Sequence, residues 1–159
     1  MRIIVFSDSH GRYLKLKQVV DAHPDADYYI HLGDGCGDVE RLQKAYPQLP
    51  LLSVPGNCDS VHTPVSSKTV KLQDRTVLYT HGHPYGVKYM LEPLALEAQE
   101  KGADLVLFGH THIPTHCFVD GVEMVNPGSV AAFDGIHFAI LDFEDGNLIT
   151  NLAVLGPQR

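Results

Sequence analysis

The chain is poor in cysteine. Cys36, Cys58 and Cys117 are the only three in 159 residues. An odd number in a chain of this length leaves no disulfide framework, and no thiol cluster marks structural zinc. A reduced, cytoplasmic compartment is the expectation. No apolar run is long enough for a membrane helix. A secretory pattern is missing as well, because Asp8 follows only a short apolar stretch. Basic residues are scarce: 12 Lys and Arg against 19 Asp and Glu give a formal net charge of −7. That excludes a non-specific nucleic-acid binder and a basic membrane-surface protein. A phosphorylated substrate stays open, since bound cations can reverse the local field. Repeats, low-complexity segments and linkers are absent too, so the length predicts a single domain over residues 1–159 with a substantial core.

What the chain does have is a recurring event. Ile3-Ile4-Val5-Phe6 reads as a buried strand that stops at Ser7-Asp8-Ser9-His10-Gly11. In extended backbone, residues i and i+2 point the same way, so Asp8 and His10 can reach toward one point. Tyr28–Leu32 is a second strand, ending at Gly33-Asp34-Gly35, and Leu51–Val54 a third, ending at Pro55-Gly56-Asn57-Cys58-Asp59. Thr76–Thr80 ends at His81-Gly82-His83, and Asp104–Phe108 at Gly109-His110-Thr111-His112.

Between these strands, Tyr13, Leu16 and Val20 recur at helical spacing up to His23-Pro24. Asp38 is placed to cap a helix carrying Val39, Leu42 and Tyr46. A third helix is predicted from Leu91 to Lys101, with Gly102 ending it. Ser67–Leu72 pairs with Thr76–Thr80 around Gln73-Asp74-Arg75, while Asp120-Gly121 and Glu144–Asn147 mark two further hairpins. Strand–helix alternation followed by a run of strands predicts α/β architecture with mixed sheets and helices outside.

Ligands of open α/β sheets bind beyond the carboxyl ends of the strands. Gathered there, the candidates are Asp8, His10, Asp34, Asn57, His81, His110 and His112. Each strand-end turn also holds a glycine that permits a sharp bend or close approach. Four imidazoles are too many for Mg²⁺ or Ca²⁺. Mixed imidazole and carboxylate donors suit divalent transition metals, Mn²⁺, Fe²⁺, Co²⁺, Ni²⁺ or Zn²⁺. Seven donors exceed one ion's needs but suit two ions about 3.5–4 Å apart sharing a carboxylate, the geometry of two-metal hydrolysis. Asp34, alone at its strand end, is the natural bridge.

In order, the blocks D-x-H, G-D, G-N-x-D, H-G-H and G-H-T-H run from Asp8 to His112. The chain thereby resembles the calcineurin-like metallophosphoesterase superfamily, and its tail with Asn126-Pro127-Gly128-Ser129 resembles the small YfcE-like phosphodiesterase branch. The resemblance implies a four-layer α/β/β/α sandwich of two mixed β-sheets. It assigns Asp8, His10 and His112 with Asp34 to one metal, and Asn57, His81 and His110 with Asp34 to the other. It implies hydrolysis of a small phosphodiester by in-line attack of a metal-bridging hydroxide, with Asp34, Asn57 and Cys58 at the chemistry, and it makes a homodimer plausible. The alternatives are a phosphomonoesterase or nucleotide hydrolase of the same superfamily, or a non-catalytic scaffold of the retromer-subunit type.

One position departs from the pattern. Many relatives carry His where this chain has Cys58. A thiol with a reference pKa near ~8.5 is uncharged at neutral pH and a poorer acid for an alkoxide leaving group. Weak turnover of phosphomonoesters with poor leaving groups is therefore expected. His83 is open between substrate contact and orienting a ligand, Arg12 between a phosphate contact and a solvated helix start. Asp59 is open between supporting a donor and capping its own turn. His31 is expected as a buried or supporting residue, and His23, His62, His116 and His137 as ordinary surface or strand residues. Tyr85, Tyr89, Met90 and Leu91 are expected to pack in the core, with an oligomer contact or substrate rim as the alternative. The Asn126–Ser129 turn can approach the site. No insertion is large enough to form a specificity lid, which implies an open site.

Overall fold

The computed structural model describes residues 1–60 and 65–156; His62 lies outside them. The elements in chain order are β1 (Arg2–Phe6), α1 (Tyr13–Ala22), β2 (Tyr28–His31), α2 (Cys36–Ala45), β3 (Leu51–Ser53), β4 (Lys68–Leu72) and β5 (Arg75–Tyr79). A short 3₁₀ turn (His83–Tyr85) leads to α3 (Glu92–Glu100), β6 (Leu105–Leu107), β7 (Thr115–Val119), β8 (Val122–Asn126), β9 (Ile136–Glu144) and β10 (Asn147–Leu155). The strands form two five-stranded sheets, ordered β10-β9-β1-β2-β3 and β4-β5-β6-β8-β7. Both are mixed. β1, β2 and β3 run parallel, as do β5, β6 and β8, and the outer partners are antiparallel.

Side-chain alternation along the strands builds the layers. In β1, Ile3 and Val5 face the second sheet, joining Ile30, Leu32, Val77, Leu105, Leu107 and Val125 in the central core. Ile4 and Phe6 face the other way, onto Leu16, Val19 and Val20 of α1 and Leu42 of α2. In β6, Val106 points away from the sheet interface and packs with Leu94, Ala95 and Ala98 of α3. Three apolar cores between four layers give the expected α/β/β/α sandwich. The parallel strands of both sheets end on one edge, and the five donor-bearing turns gather there.

Several local expectations need correction. Arg75 is not a turn residue. It pairs with Leu72, leaving a two-residue turn at Gln73 and Asp74, and its guanidinium reaches Asp104 at 2.6 Å and Glu123 at 3.1 Å. Asp38 does not cap α2, which begins two residues earlier. Its buried carboxylate instead accepts the Gly11 N–H at 2.9 Å. His137 is a strand residue, one of the two readings expected of it. It lies buried in β9, where a side chain at Gly128 would strike its ring. Tyr89 and Met90 are not core residues, being 90% and 56% exposed. The chain turns at Gly86 in left-handed backbone and α3 begins only at Glu92, so both residues lie in the exposed connection between them. Tyr85 and Leu91 do pack against the core.

Candidate metal centre

The sandwich delivers all seven candidate donors to one edge, and backbone contacts lock the turns together. Asp8 N–H donates to Gly33 O and His10 N–H to Asp34 O, both at 3.0 Å, joining the first turn to the second. Gly109 N–H donates to His81 O at 3.1 Å, joining the fourth to the fifth. The two sheets are linked by His81, whose Nδ1–H donates to Leu32 O at 2.7 Å. They are linked again by His110 N–H, which donates to Asp8 Oδ2 at 3.1 Å.

Eight described residues other than glycine have positive φ. Three, Gln73, Asp120 and Asp145, sit at hairpin turns; the other five are Asp8, His10, Asp34, His110 and His112. Left-handed backbone is costly for a side-chain-bearing residue and persists where the surroundings impose it. Here it aims a donor inward at the end of a strand. Gly56 is needed for a related reason: a Cβ there would lie 2.1 Å from Asp34 Oδ1.

Oriented lone pairs define the centre. With Nδ1–H committed to Leu32, His81 turns Nε2 toward Asp34 Oδ2 at 3.3 Å, Asn57 Oδ1 at 3.1 Å and His110 Nδ1 at 3.2 Å. Asp8 Oδ2 accepts from Ser7 Oγ at 2.5 Å and from His110 N–H. That leaves Oδ1 facing His112 Nε2 at 3.0 Å and His10 Nε2 at 3.7 Å. His10 Nε2 and His112 Nε2 lie 3.4 Å apart. Ring nitrogens and carboxylate oxygens thus crowd one point, an arrangement that suits cations between them. Three overlapping groups have donor atoms within 4.8 Å of one another: Asp8, His10 and His112; Asp34, His81 and His110; and His10, Asp34 and Cys58. Asp34 belongs to two of them. The donor set fits divalent transition metals.

The carboxylates and imidazoles of the centre also shift one another's charge. Burial opposes the Asp34 carboxylate, yet the contact with His81 and the Cys58 N–H, at 2.8 Å, hold it well below the usual carboxylate range. His81 is raised despite burial, by the Asp34 contact and the charges of Asp8 and Asp34. Burial, with His81 and Lys88 nearby, pushes His110 down to about 4, so its ring is neutral with a lone pair on one nitrogen. The Asp34 carboxylate beside Cys58 raises that exposed thiol.

The supporting residues are now placed. Asp59 holds other donors: its carboxylate accepts the N–H groups of Asp34, Gly35, Cys36 and Gly56 at 2.8–3.0 Å. It therefore does for the start of α2 what Asp38 was expected to do. His31 is buried, with Nδ1 accepting from Gly33 N–H and Nε2–H reaching Ser9 Oγ, both at 3.1 Å. His83 is exposed, its ring centroid 5.4 Å from His81 and 6.1 Å from His110. Arg12 is exposed at the start of α1 and does not line the cleft of about 260 Å³ beside His10, Asp34 and Cys58. His23 packs on Phe138 and His116 pairs with Glu123 at 2.9 Å, as ordinary residues do. The Asn126–Ser129 turn does approach: Asn126 Nδ2 donates to Gly109 O at 3.0 Å and Ser129 Oγ to Asp8 O at 2.9 Å. Ser7 went unnoticed in the sequence. A lone serine before an aspartate carries no signal until its hydroxyl is seen on the carboxylate.

Residues 1–146 match the model of the calcineurin-like phosphoesterase superfamily domain, and the chain belongs to that superfamily. A probable metallophosphoesterase of Bacillus subtilis, YsnB, is 37% identical over 132 residues, covering 82% of this chain and 75% of that one. Phosphodiesterase YfcE of Escherichia coli is 27% identical over 177 residues, covering 97% and 92%. Among solved structures, a predicted phosphoesterase of Streptococcus pneumoniae superposes with a TM-score of 0.79 at 25% identity, covering 96% of this chain and 88% of that one. Vps29 of Entamoeba histolytica shares the fold, with a TM-score of 0.75 at 19% identity over 98% and 100%. Among the described residues no helix is long and apolar enough to cross a membrane.

Proposed function

We propose that this phosphoesterase-family chain is a dinuclear, divalent-metal-dependent phosphodiesterase acting on small phosphodiesters in the cytoplasm. The observation that carries the reading is the convergence of seven potential ligand side chains on one point, with Asp34 in two of the close groups. Asp8, His10 and His112 with Asp34 would hold one cation, and Asn57, His81 and His110 with Asp34 the other. Mn²⁺ is proposed first, with Ni²⁺, Co²⁺, Fe²⁺ and Zn²⁺ compatible with the same donors. Bound, the pair would supply a nucleophile from water at neutral pH and neutralise charge on the phosphoryl oxygens.

The chain's own residues set the rest. Asp34 directs Oδ2 between His81 and His10, at 3.3 and 3.9 Å, while Oδ1 stays with Cys58 N–H. Asn57 presents Oδ1 inward and turns its amide nitrogen to Cys58 Sγ at 3.5 Å. His83 stands exposed beside His81 and His110, in position to meet a phosphoryl oxygen or the leaving group. With a thiol at position 58, leaving-group protonation, typically worth roughly 10²–10⁴-fold, is weak. Diesters and aryl esters, whose leaving groups need little protonation, are then preferred over alkyl monoesters. The relative YfcE, a phosphodiesterase over nearly the same length, supports that choice. The scaffold alternative draws only on a shared fold.

Metal-stripped protein reloaded with each cation is to be assayed on bis-p-nitrophenyl phosphate and p-nitrophenyl phosphate. Metal-dependent diester cleavage exceeding monoester cleavage supports the reading. A folded protein inactive with every metal returns the weight to the scaffold.

A further inference from the structure

We propose that Cys58 is itself a metal ligand, its sulfur completing the shell of the cation held by His10 and Asp34. The proposal rests on the metal-centre reading above and goes beyond it, since that reading gives position 58 only to the chemistry of the leaving group. Cys58 Sγ, a nitrogen of His10 and a carboxylate oxygen of Asp34 lie within 4.8 Å of one another, the same closeness that unites each of the other two donor groups. The three come from three different strand-end turns, so the closeness is a product of the fold and not of chain proximity.

Two further contacts fix the sulfur's position. Cys58 N–H is tied to Asp34 Oδ1 at 2.8 Å, which pins the residue's backbone to the shared carboxylate. Asn57 Nδ2 approaches Sγ at 3.5 Å, so the asparagine that offers Oδ1 to one ion braces the sulfur beside the other. The residue is exposed and lines the cleft with His10 and Asp34, so cations can reach it. On binding, the S–H bond breaks, its proton passes to solvent, and the sulfur electron pair forms the bond to the cation.

Two consequences follow. A soft sulfur donor in an otherwise hard set shifts preference toward thiophilic ions, Zn²⁺, Co²⁺ and Cd²⁺, and away from Mg²⁺. A coordinated sulfur also has no proton to give, which accounts for weak leaving-group protonation more directly than a free thiol does.

Co²⁺ titration of the metal-free full chain tests this. Ligand-field bands in the visible report binding to the nitrogen and oxygen donors, and a sulfur-to-cobalt charge-transfer band in the near ultraviolet reports Cys58. Expected are both bands in the wild type, with the charge-transfer band lost in Cys58→Ser and kept in Cys36→Ser and Cys117→Ser. Cd²⁺ affinity should fall by at least the roughly 10–100-fold that loss of even a supporting partner costs, with Mg²⁺ affinity unchanged. Ligand-field bands without charge transfer, or a charge-transfer band surviving in Cys58→Ser, overturn the proposal and leave the metal centre standing. Absence of any cobalt spectrum in folded protein overturns both.

Discussion

The Asp59 carboxylate accepts the backbone N–H of Asp34 at 2.8 Å, and three more N–H groups around it. Asp34, common to two of the close donor groups, is therefore held from behind by another carboxylate whose oxygens are taken up by backbone N–H groups. Burial opposes charge on Asp59, but those N–H groups keep it below the usual carboxylate range. Removing it in Asp59→Ala leaves the start of α2 and the Asp34 turn without their acceptor. The expected cost is about 2–3 kcal/mol in urea unfolding, with metal affinity down roughly 10–100-fold by titration calorimetry. Unchanged affinity would make Asp59 a helix cap and nothing more.

Left-handed backbone at the donors predicts an inversion of the usual alanine–glycine ranking. His10 has φ 43°. In metal-free protein, His10→Gly should be about 1 kcal/mol more stable than His10→Ala, because glycine alone adopts that conformation without steric penalty. Both variants lose metal. Equal stabilities would mean that the turn relaxes once the imidazole is gone.

His31 predicts a pH dependence of stability. Burial pushes its pKa down to about 4 in the folded state, despite the nearby Asp8, Asp59 and Asp38 carboxylates, against an unfolded value near ~6.5. A depressed folded pKa means that the unfolded chain binds the extra proton between these values. The neutral ring's contribution is whole above about pH 6.5 and is lost as pH falls toward 4, by an order of ~3 kcal/mol. His31→Gln should flatten the stability profile across that window. An unfolding profile identical in slope to wild type would show that His31 does not carry the dependence.

Cys58→His should raise monoester turnover relative to diester turnover by at least ~10-fold, by restoring a group able to protonate the leaving oxygen. If the ratio stays put, position 58 does not set the preference.

The donors were readable because each sits where an apolar run ends at a glycine-bearing polar turn, a local pattern that the parallel strands then align on one edge. The layers were readable from alternation: Ile3 and Val5 on one face, Ile4 and Phe6 on the other. What local pattern concealed depends on long-range contact. Asp38 and Asp59 are equally plausible caps in one dimension, and only the approach of the β3 turn to α2 chooses Asp59. Tyr89 and Met90 read as core residues by their large apolar side chains, whereas the turn after Gly86 leaves both exposed. Cys58 reads as a variant acid, and only the folded turns bring its sulfur to His10 and Asp34.

If Asp34 joins two cations as proposed, the number of ions bound tests it most directly. Mn²⁺ or Co²⁺ titrated into metal-free protein should saturate at two per chain and raise the melting temperature with concentration. His110→Ala should weaken one of the two sites and Asp34→Ala both. A folded wild-type chain that binds one cation or none, or an Asp34→Ala variant that still binds two with unchanged affinity, would contradict the account.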